Sequence, residues 1–337
     1  MKYLVGLLLL ALAFLMSVAI GAVFIPPSTQ LHMLLARLPG VSWAQDWPQA
    51  YATILFQVRL PHALLVALAG AALASSGAAY QGMFRNPLAD PYLIGAASGA
   101  GLAAVLAMTL HWPASWLGLY AVPVAAFLGA LITVFLAYGL ARTGGAAPTT
   151  TLILAGVALS SFATALTSFL MLRSTSELRR ALAWLLGGAL LPGWEPVLAM
   201  LPYVLLGIVV LVLSGHTLNV LQFGDDQAHQ LGLPVERRKI VIILAASLAT
   251  GAAVAFAGII GFIGLVVPHV LRIWQGPDYR HLVPLSILGG ATALLLADLL
   301  ARMVIAPQVL PLGVVTALVG APFFIWVLRR SRAPKLG

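Results

Sequence analysis

Residues 59–100 read RLPHALLVALAGAALASSGAAYQGMFRNPLADPYLIGAASGA, and this stretch says more about the fold than any other. Its first half is a long apolar run in which small residues recur on one helix face, at Gly70, Ala71, Ala74, Ser75, Gly77 and Ala78. Small side chains let neighbouring membrane helices approach closely. A polar segment with two prolines, residues 85–91, then ends this helix and starts another. The stretch therefore predicts two closely packed apolar helices joined by a polar turn.

The composition excludes a water-soluble domain. Of the 337 residues, 61% are hydrophobic and only 8% are charged, whereas soluble domains contain about 45–50% apolar and about 25% charged residues. The net charge is +9. Nucleic-acid binding would need a basic patch on a soluble face, so we assign the excess to cytoplasmic loops and expect no nucleic-acid partner. The chain has no cysteine, which excludes disulfides and a thiolate metal site.

Apolar runs long enough to cross a bilayer recur through the chain. A spanning helix needs about 20 mostly apolar residues. Nine runs are clear, at residues 3–25, 60–83, 93–110, 116–141, 151–172, 197–213, 240–258, 282–302 and 309–328. A half-length piece lies at about 259–271. The first run exceeds the apolar core of a signal peptide, about 7–15 residues, so we expect it to be an uncleaved helix.

The positions of lysine and arginine choose between nine and ten spans. With ten spans and the N-terminus inside, roughly two thirds of the 18 basic residues lie on the cytoplasmic side. With nine spans, the basic tail at residues 329–335 would lie outside, against this tendency. We therefore predict an all-α polytopic membrane protein with ten transmembrane helices, in the inner membrane, with both termini in the cytoplasm.

Further segments carry a resemblance to a known family. Residues 59–100 resemble the FecCD family, the permeases of ATP-binding-cassette (ABC) importers for vitamin B12, haem and ferric siderophores. Six more segments are similar to family signatures in the same order: TLILAGVAL at 151–159, RRALAWLLGG at 179–188, GFIGLVVPHVLR at 261–272, GPDYRHLVPLS at 276–286, LADLLAR at 296–302 and LPLGVVTALVGAPFF at 310–324. The resemblance therefore covers nearly the whole chain.

The resemblance implies a type II ABC importer permease fold in which residues 1–337 form a single transmembrane domain. It also implies that two copies form the pore and that two separate ATPase subunits bind ATP and magnesium. The chain has no GxxxxGK[ST] phosphate loop. We therefore expect a permease that is not itself an enzyme and that holds no cofactor or metal of its own. A soluble substrate-binding protein and membrane lipid complete the expected partners.

Residues 217–239 form a loop that is long for a membrane protein and mixes acidic, basic and apolar residues. Asp225 and Asp226 suit the start of a short helix. The residues alone fit a solvated loop that carries topogenic charge. The resemblance implies instead that the loop couples the permease to the ATPase, with the contact near Gln227, Leu231, Gly232 and Glu236.

On the outer face, the resemblance implies arginines that meet carboxylates of the binding protein. Arg59 and Arg302 match such positions, and His62 stands where a second arginine is common. Since histidine is mostly neutral at about pH 7, this departure predicts weaker docking. Arg302 also follows Asp298 by one helical turn, so an ion pair between the two is an equally good interpretation.

Pro148 starts a helix that is rich in hydroxyl side chains. The resemblance implies that Thr149 and Thr150 lie at the inner gate, although threonines there can also cap backbone N–H groups. Farther along, hydroxyls can line a wet pathway or hydrogen-bond between helices. The candidates are Ser160, Thr164, Thr167 and Ser168.

Two rival functions have weaker support. An ion-coupled secondary transporter would place carboxylates or histidines near mid-membrane, and the one acid well inside an apolar run, Asp298, has Arg302 beside it. An intramembrane protease would need GxSG or HExxH, and the sequence contains neither. Within the importer class, the sequence leaves siderophore, haem and cobalamin open as the transported chelate.

Overall fold

The structure is a computed structural model that describes residues 1–21, 23–37, 46–110, 121–143, 147–173, 177–188 and 191–331. Within these ranges the chain folds into helices. They are α1 (Lys2–Ala19), α2 (Pro27–Leu35), α3 (Gln49–Met83), α4 (Ala96–Thr109), α5 (Ala121–Ala141), α6 (Thr149–Arg173), α7 (Leu178–Leu185), α8 (Trp194–Leu213), α9 (Gly215–Leu221), α10 (Asp225–Gln230), α11 (Val235–Ala257), α12 (Ile263–Gln275), α13 (Tyr279–Met303) and α14 (Leu312–Ser331).

Seven of the described helices are long and apolar enough to cross a membrane: α1, α3, α5, α6, α8, α11 and α13. Helix α4 and the segment Leu312–Val327 of α14 are shorter apolar helical stretches, and α12, with 13 residues, is the half-length helix predicted near 259–271. The all-α, multi-pass class is thus confirmed, and the count of ten spans stays a prediction. The start of the run at 116–141, and Arg332 and Lys335 in the basic tail, lie outside the described residues.

Several helix ends differ from the predicted apolar runs. Helix α3 begins at Gln49 and passes through a π-helical turn at Ile54–Arg59 before the apolar run starts. Helix α11 begins at Val235, five residues early. Hydropathy marks only the part of a helix that favours lipid, so it does not detect helical turns made of polar residues. In the other direction, α1 ends at Ala19 because Ile20 adopts extended backbone, with φ −93° and ψ 131°.

Helix α3 is the central helix of the bundle, and its small residues explain why. Gly70 packs against Gly290 of α13, and Gly77 packs against Gly264 of α12. A Cβ atom at Gly70 or Gly77 would overlap the facing backbone, so glycine is required for helices to approach this closely. The small-residue face predicted from the sequence is therefore the contact surface between α3 and two other helices.

Side chains of the polar turn after α3 fix its shape. The Asn86 side chain accepts a hydrogen bond from the backbone N–H of Leu88 (3.0 Å), and the Asp90 carboxylate accepts one from Tyr92 (2.9 Å). The Tyr92 hydroxyl donates to the carbonyl of Ile260 (3.0 Å), between α11 and α12. The turn thus also positions α12. Burial raises the pKa of the Asp90 carboxyl to about 6.

The bundle has two polar ends. At one end, Lys2 at the start of α1 donates to the carbonyl of Gln275 (3.3 Å), and Asn219 of α9 donates to Asp278, the N-cap residue of α13 (2.6 Å). We call this the loop end. The opposite end, where α1 and α13 finish, contains a cluster of basic side chains and is called the basic end.

Candidate functional site

At the basic end, the buried carboxylate of Asp298 lies between two basic side chains. Its Oδ1 is 2.9 Å from Nε2 of His62, and its Oδ2 is 2.9 Å from Nη2 of Arg302. Asp298 is only 1% exposed, and a buried charge is costly unless it is paired. The i,i+4 spacing puts Asp298 and Arg302 on one face of α13. The ion pair predicted from this spacing is confirmed.

Arg59 and Arg302 also hold the end of α1. Their guanidinium groups donate to backbone carbonyls there, which lack intrahelical partners and form the negative end of the helix dipole. The acceptors are Val18 (2.9 Å), Ala19 (3.0 Å) and Val23 for Arg59, and Ser17 and Ile20 (both 3.1 Å) for Arg302. Each arginine therefore stabilises the end of α1, in addition to any role in docking.

The three predicted docking residues line one cavity of about 590 Å³. Arg59 is 8% exposed, and the side chains of His62 and Arg302 are 26% and 17% exposed. Two guanidinium groups beside one buried carboxylate leave a net positive charge, which favours an anionic partner. The structure therefore brings Arg59, His62 and Arg302 together, although they come from two helices far apart in sequence.

At the loop end, the segment after α8 folds into two short helices, α9 and α10. Asp225 and Asp226 occupy the first turn of α10, as their charge predicted. Ala228 is fully buried against the bundle, whereas Phe223 and Leu231 are 64% and 67% exposed. Such side chains lose unfavourable contact with water when another protein covers them.

Three of the four residues predicted to contact an ATPase are exposed: Gln227, Leu231 and Gly232. Gly232 has a φ of +82°, and no atom lies within 4 Å of the position that a Cβ would take. Glu236 differs, since it is half-buried in the first turn of α11. Its Oε2 accepts a hydrogen bond from the backbone N–H of Ala147 (3.3 Å). Glu236 therefore contacts the bundle itself.

Two contacts that anchor this loop were not predicted from the sequence. Lys239, 4% exposed, places its Nζ 2.5 Å from Oδ2 of Asp225. Asn219 bonds Asp278, whose pKa is held well below its usual range by hydrogen bonds from Arg280 and then Asn219. The partners are 14 and 59 residues apart in sequence. A sequence pattern does not reveal contacts at such separations, because only the tertiary fold brings them together.

Helix α6 begins at Thr149, and Thr150 beside it is exposed. The hydroxyls farther along divide into two groups. Ser160 accepts a hydrogen bond from Ser98 of α4 (3.0 Å), and Thr167, 7% exposed, donates to the carbonyl of Ala163 (2.8 Å). Both serve packing within the chain.

The second group of hydroxyls on α6 lies on its exposed face. Ser161, Thr164 and Ser168 are exposed and follow one another at helical spacing. Large apolar side chains flank them, such as Phe162 and Phe169, which are 63% and 55% exposed. Thr164 and Ser168 are therefore free to face a pathway, whereas the structure places Ser160 and Thr167 against other parts of the chain.

Together, the multi-pass helical bundle, the basic cavity and the exposed loop at the opposite end define a membrane permease. Residues 9–330 match the model of the FecCD transport family. The chain belongs to the FecCD transport family.

Known relatives support this assignment, because each is similar to this chain over most of its length. The chain is 42% identical over 326 residues to the cobalamin import system permease protein BtuC of Halobacterium salinarum, covering 92% of this chain and 87% of that one. It is 39% identical over 298 residues to the hemin transport system permease protein HmuU of Yersinia pestis, covering 88% and 89%. A solved metal-chelate-type ABC transporter in an inward-facing conformation aligns with a TM-score of 0.82 and 31% identity, over 96% of this chain and 97% of that one. The predicted class, an ABC importer permease, is confirmed.

Proposed function

We propose that two copies of this chain form the membrane pathway of an ATP-driven importer for a bulky metal chelate, namely cobalamin, haem or a ferric siderophore. The observation that carries the proposal is the similarity to a metal-chelate-type transporter over 96% of the chain. The chain itself holds no cofactor in this proposal. ATP and magnesium belong to two separate ATPase subunits.

The proposed topology has ten spans in the inner membrane, with the loop end and both termini in the cytoplasm. Its support is that the start of α1 and the loop share one end of the bundle through the contacts of Lys2 and Asn219. Arg237 and Arg238 are exposed at the same end. Basic residues favour the cytoplasmic side of a membrane.

The exposed surface of the loop is proposed to bind the ATPase. Gln227, Leu231 and Gly232 supply a protruding surface with an apolar residue at its centre. Covering an exposed apolar side chain with a partner removes it from water and so favours binding. The same surface faces the compartment where ATP is made, given the proposed topology.

The cavity at the basic end is proposed to receive carboxylates of a soluble binding protein. Arg59 and Arg302 are held in place by the end of α1, so their charges are preorganised, which lowers the entropic cost of docking. His62, paired with Asp298, adds a hydrogen-bonding group at the rim.

The exposed face of α6 is proposed to line the pathway at the contact with the second copy. Thr164 and Ser168 form part of a polar stripe on an otherwise apolar surface, which suits a water-filled path better than lipid. Thr149 and Thr150, at the start of the same helix, lie at the loop end and are proposed to form the inner gate. Lipid covers the remaining apolar faces.

Ion coupling is the rival mechanism, and the geometry of Asp298 weakens it. A coupling carboxylate must gain and lose a cation during transport. Asp298 is instead bound on one side by His62 and on the other by Arg302, which also holds α1. Its charge is therefore compensated by fixed protein groups.

The decisive experiment is to purify the tagged chain from its native membrane and reconstitute the complex. A vanadate-sensitive ATPase of separate sequence, in equal stoichiometry, is expected to co-purify. Vesicles that contain the complex and its binding protein should then take up one of three tested chelates (cobalamin, haem or a ferric siderophore) only when ATP is supplied. An intact preparation without an ATPase partner, or uptake driven by an ion gradient alone, would overturn the proposal.

A further inference from the structure

We infer that Glu236 and Lys239, one turn apart on α11, connect the ATPase-binding loop to the start of α6 and thereby position the inner gate. This inference rests on the proposed function. It assigns to Glu236 a positioning role inside the permease rather than a direct contact with the ATPase.

The first contact of this connection joins α10 to α11. Lys239 is buried, and its ammonium group lies 2.5 Å from the carboxylate of Asp225 in the first turn of α10. A buried ammonium group without a partner is strongly destabilising. Asp225 therefore cannot move far from α11 while Lys239 stays where it is, so α10 and the start of α11 move together.

The second contact joins α11 to α6. The carboxylate of Glu236 accepts a hydrogen bond from the N–H of Ala147, which is 4% exposed and lies two residues before the start of α6. Ala147 lies just outside the helix, and the helix dipole makes this end positive. A carboxylate is thus a favourable partner here, and Glu236 holds the backbone that leads into α6.

A groove beside these contacts leaves room for movement. Its volume is about 550 Å³, and its walls include Pro148 of the α6 start, Asp226 and His229 of α10, and Glu236 of α11. The loop and the start of the gate helix therefore face each other across open space and are joined through α11. Most of α11 is buried, so this helix is rigid and can transmit a displacement from one end of these contacts to the other.

The sequence of contacts gives a physical route from the ATPase to the gate. A displacement of α10 carries α11 through Asp225 and Lys239, and α11 carries the backbone before Thr149 through Glu236. A second anchor of the loop leads elsewhere: Asn219 contacts Asp278 and the N–H of Tyr279 at the start of α13.

The chain suits a single-thiol experiment because it contains no cysteine. Thr150→Cys places one reporter on an exposed residue of the gate helix. The assembled transporter with this reporter is compared with the same transporter carrying Glu236→Ala, Glu236→Gln, Asp225→Asn or Asn219→Ala. Two quantities are measured in vesicles: chelate transported per ATP hydrolysed, and the change in the rate of maleimide modification when ATP and vanadate are added.

We expect Glu236→Ala to lower the transport-to-hydrolysis ratio at least about fivefold and to abolish the nucleotide-dependent change in modification. Glu236→Gln keeps an oxygen acceptor for Ala147 and should restore part of both. Asp225→Asn weakens the first contact at a half-exposed position and should lower the ratio as well, which keeps the test decisive if Glu236→Ala fails to assemble. Asn219→Ala breaks the loop's contact with α13 but neither contact of α11, so its ratio should fall less than that of Glu236→Ala.

Two results would overturn the inference: a parent-like ratio and modification change in Glu236→Ala or Asp225→Asn, or an equal loss in Asn219→Ala. Both presuppose a parent transporter that hydrolyses ATP and transports chelate. A parent preparation without an ATPase would instead overturn the proposed function, so the two failures are distinguishable.

Discussion

Nη2 of Arg302 lies 2.9 Å from Oδ2 of Asp298, one turn earlier in α13, and the same guanidinium group donates to backbone carbonyls at the end of α1. His62 of α3 contacts the other oxygen of the carboxylate. Three helices thus meet at one buried acid. His62 and Arg302, which were predicted to dock the binding protein, therefore also hold α1, α3 and α13 together at the basic end.

Asp298→Ala should destabilise the protein because it leaves Arg302 and His62 without their shared partner. The expected loss is about 3–5 kcal/mol, typical of breaking a buried pair by removing one member. Denaturant unfolding of the purified protein in mild detergent measures it. Glu177→Ala is the control, since it removes a long pair, 3.8 Å, with the exposed guanidinium group of Arg180 and should change little. Equal stability of the two variants would contradict the assignment.

Gly77→Ala should disrupt the contact between α3 and α12, because the added methyl group overlaps the backbone of Gly264. Overpacking of this kind costs about 1–3 kcal/mol or more. Gly139→Ala is the matched control, since the same methyl group meets no atom within 4 Å there. Thermal unfolding and the yield of monodisperse protein compare the two. A Gly77→Ala protein as stable as the control would show that the helices are farther apart than described.

Gly232→Pro should abolish transport while leaving the protein inserted in the membrane. Proline fixes φ at about −65°, whereas Gly232 has a φ of +82°, so the loop surface must refold locally. Gly232→Asn is the control, because asparagine tolerates positive φ, and it should retain transport. Chelate uptake per inserted protein is the measurement, and normal uptake by the proline variant would remove the loop from the ATPase contact.

His62→Arg should strengthen docking of the substrate-binding protein. The substitution adds a permanent positive charge at the rim of the cavity, beside Asp298 and Arg302. We expect affinity to rise by up to about fivefold, the range of a partly exposed ion pair, and the gain to shrink as salt screens it. Surface plasmon resonance at two salt concentrations measures both effects. Unchanged, salt-independent affinity would mean that the cavity does not receive an acidic partner.

Asp90→Asn should make stability less dependent on pH. Burial raises the pKa of Asp90 from 3.8 to about 6, so the folded state binds this proton more tightly than the unfolded state. The resulting stabilisation is present below about pH 4 and is lost as the pH rises through about 6. The parent should therefore lose more stability than Asp90→Asn between about pH 5 and about pH 8, while Asn keeps an oxygen for the N–H of Tyr92. Parallel pH profiles of the melting temperature would contradict this.

The class of fold could be predicted from sequence because it depends on a solvent preference that is summed over many residues. Long apolar runs located most of the spans, and small residues such as Gly70 and Gly77 marked the central contact of α3. Helix ends were predicted less well. The early end of α1 depends on Arg59 and Arg302, which approach it from other helices.

The candidate site was predictable residue by residue only where a motif or a helical spacing carried the signal. The spacing of Asp298 and Arg302 predicted their ion pair. The same reasoning placed Ser160 and Thr167 on the pathway together with Thr164 and Ser168, whereas burial separates the two pairs. Spacing along a helix gives the face of a side chain relative to its neighbours, and only packing determines which face is covered.

By itself, the sequence determined that this chain belongs in a membrane, that its helices pack through small residues, and that its polar loop is an unusual feature. These properties follow from local composition and period, which act before the chain is folded. Only the tertiary structure decided that Asp298 also pairs with His62, that two arginines bind the end of α1, and that Glu236 contacts Ala147. Such contacts join residues far apart in sequence, and their energies depend on burial, which exists only once the helices have packed.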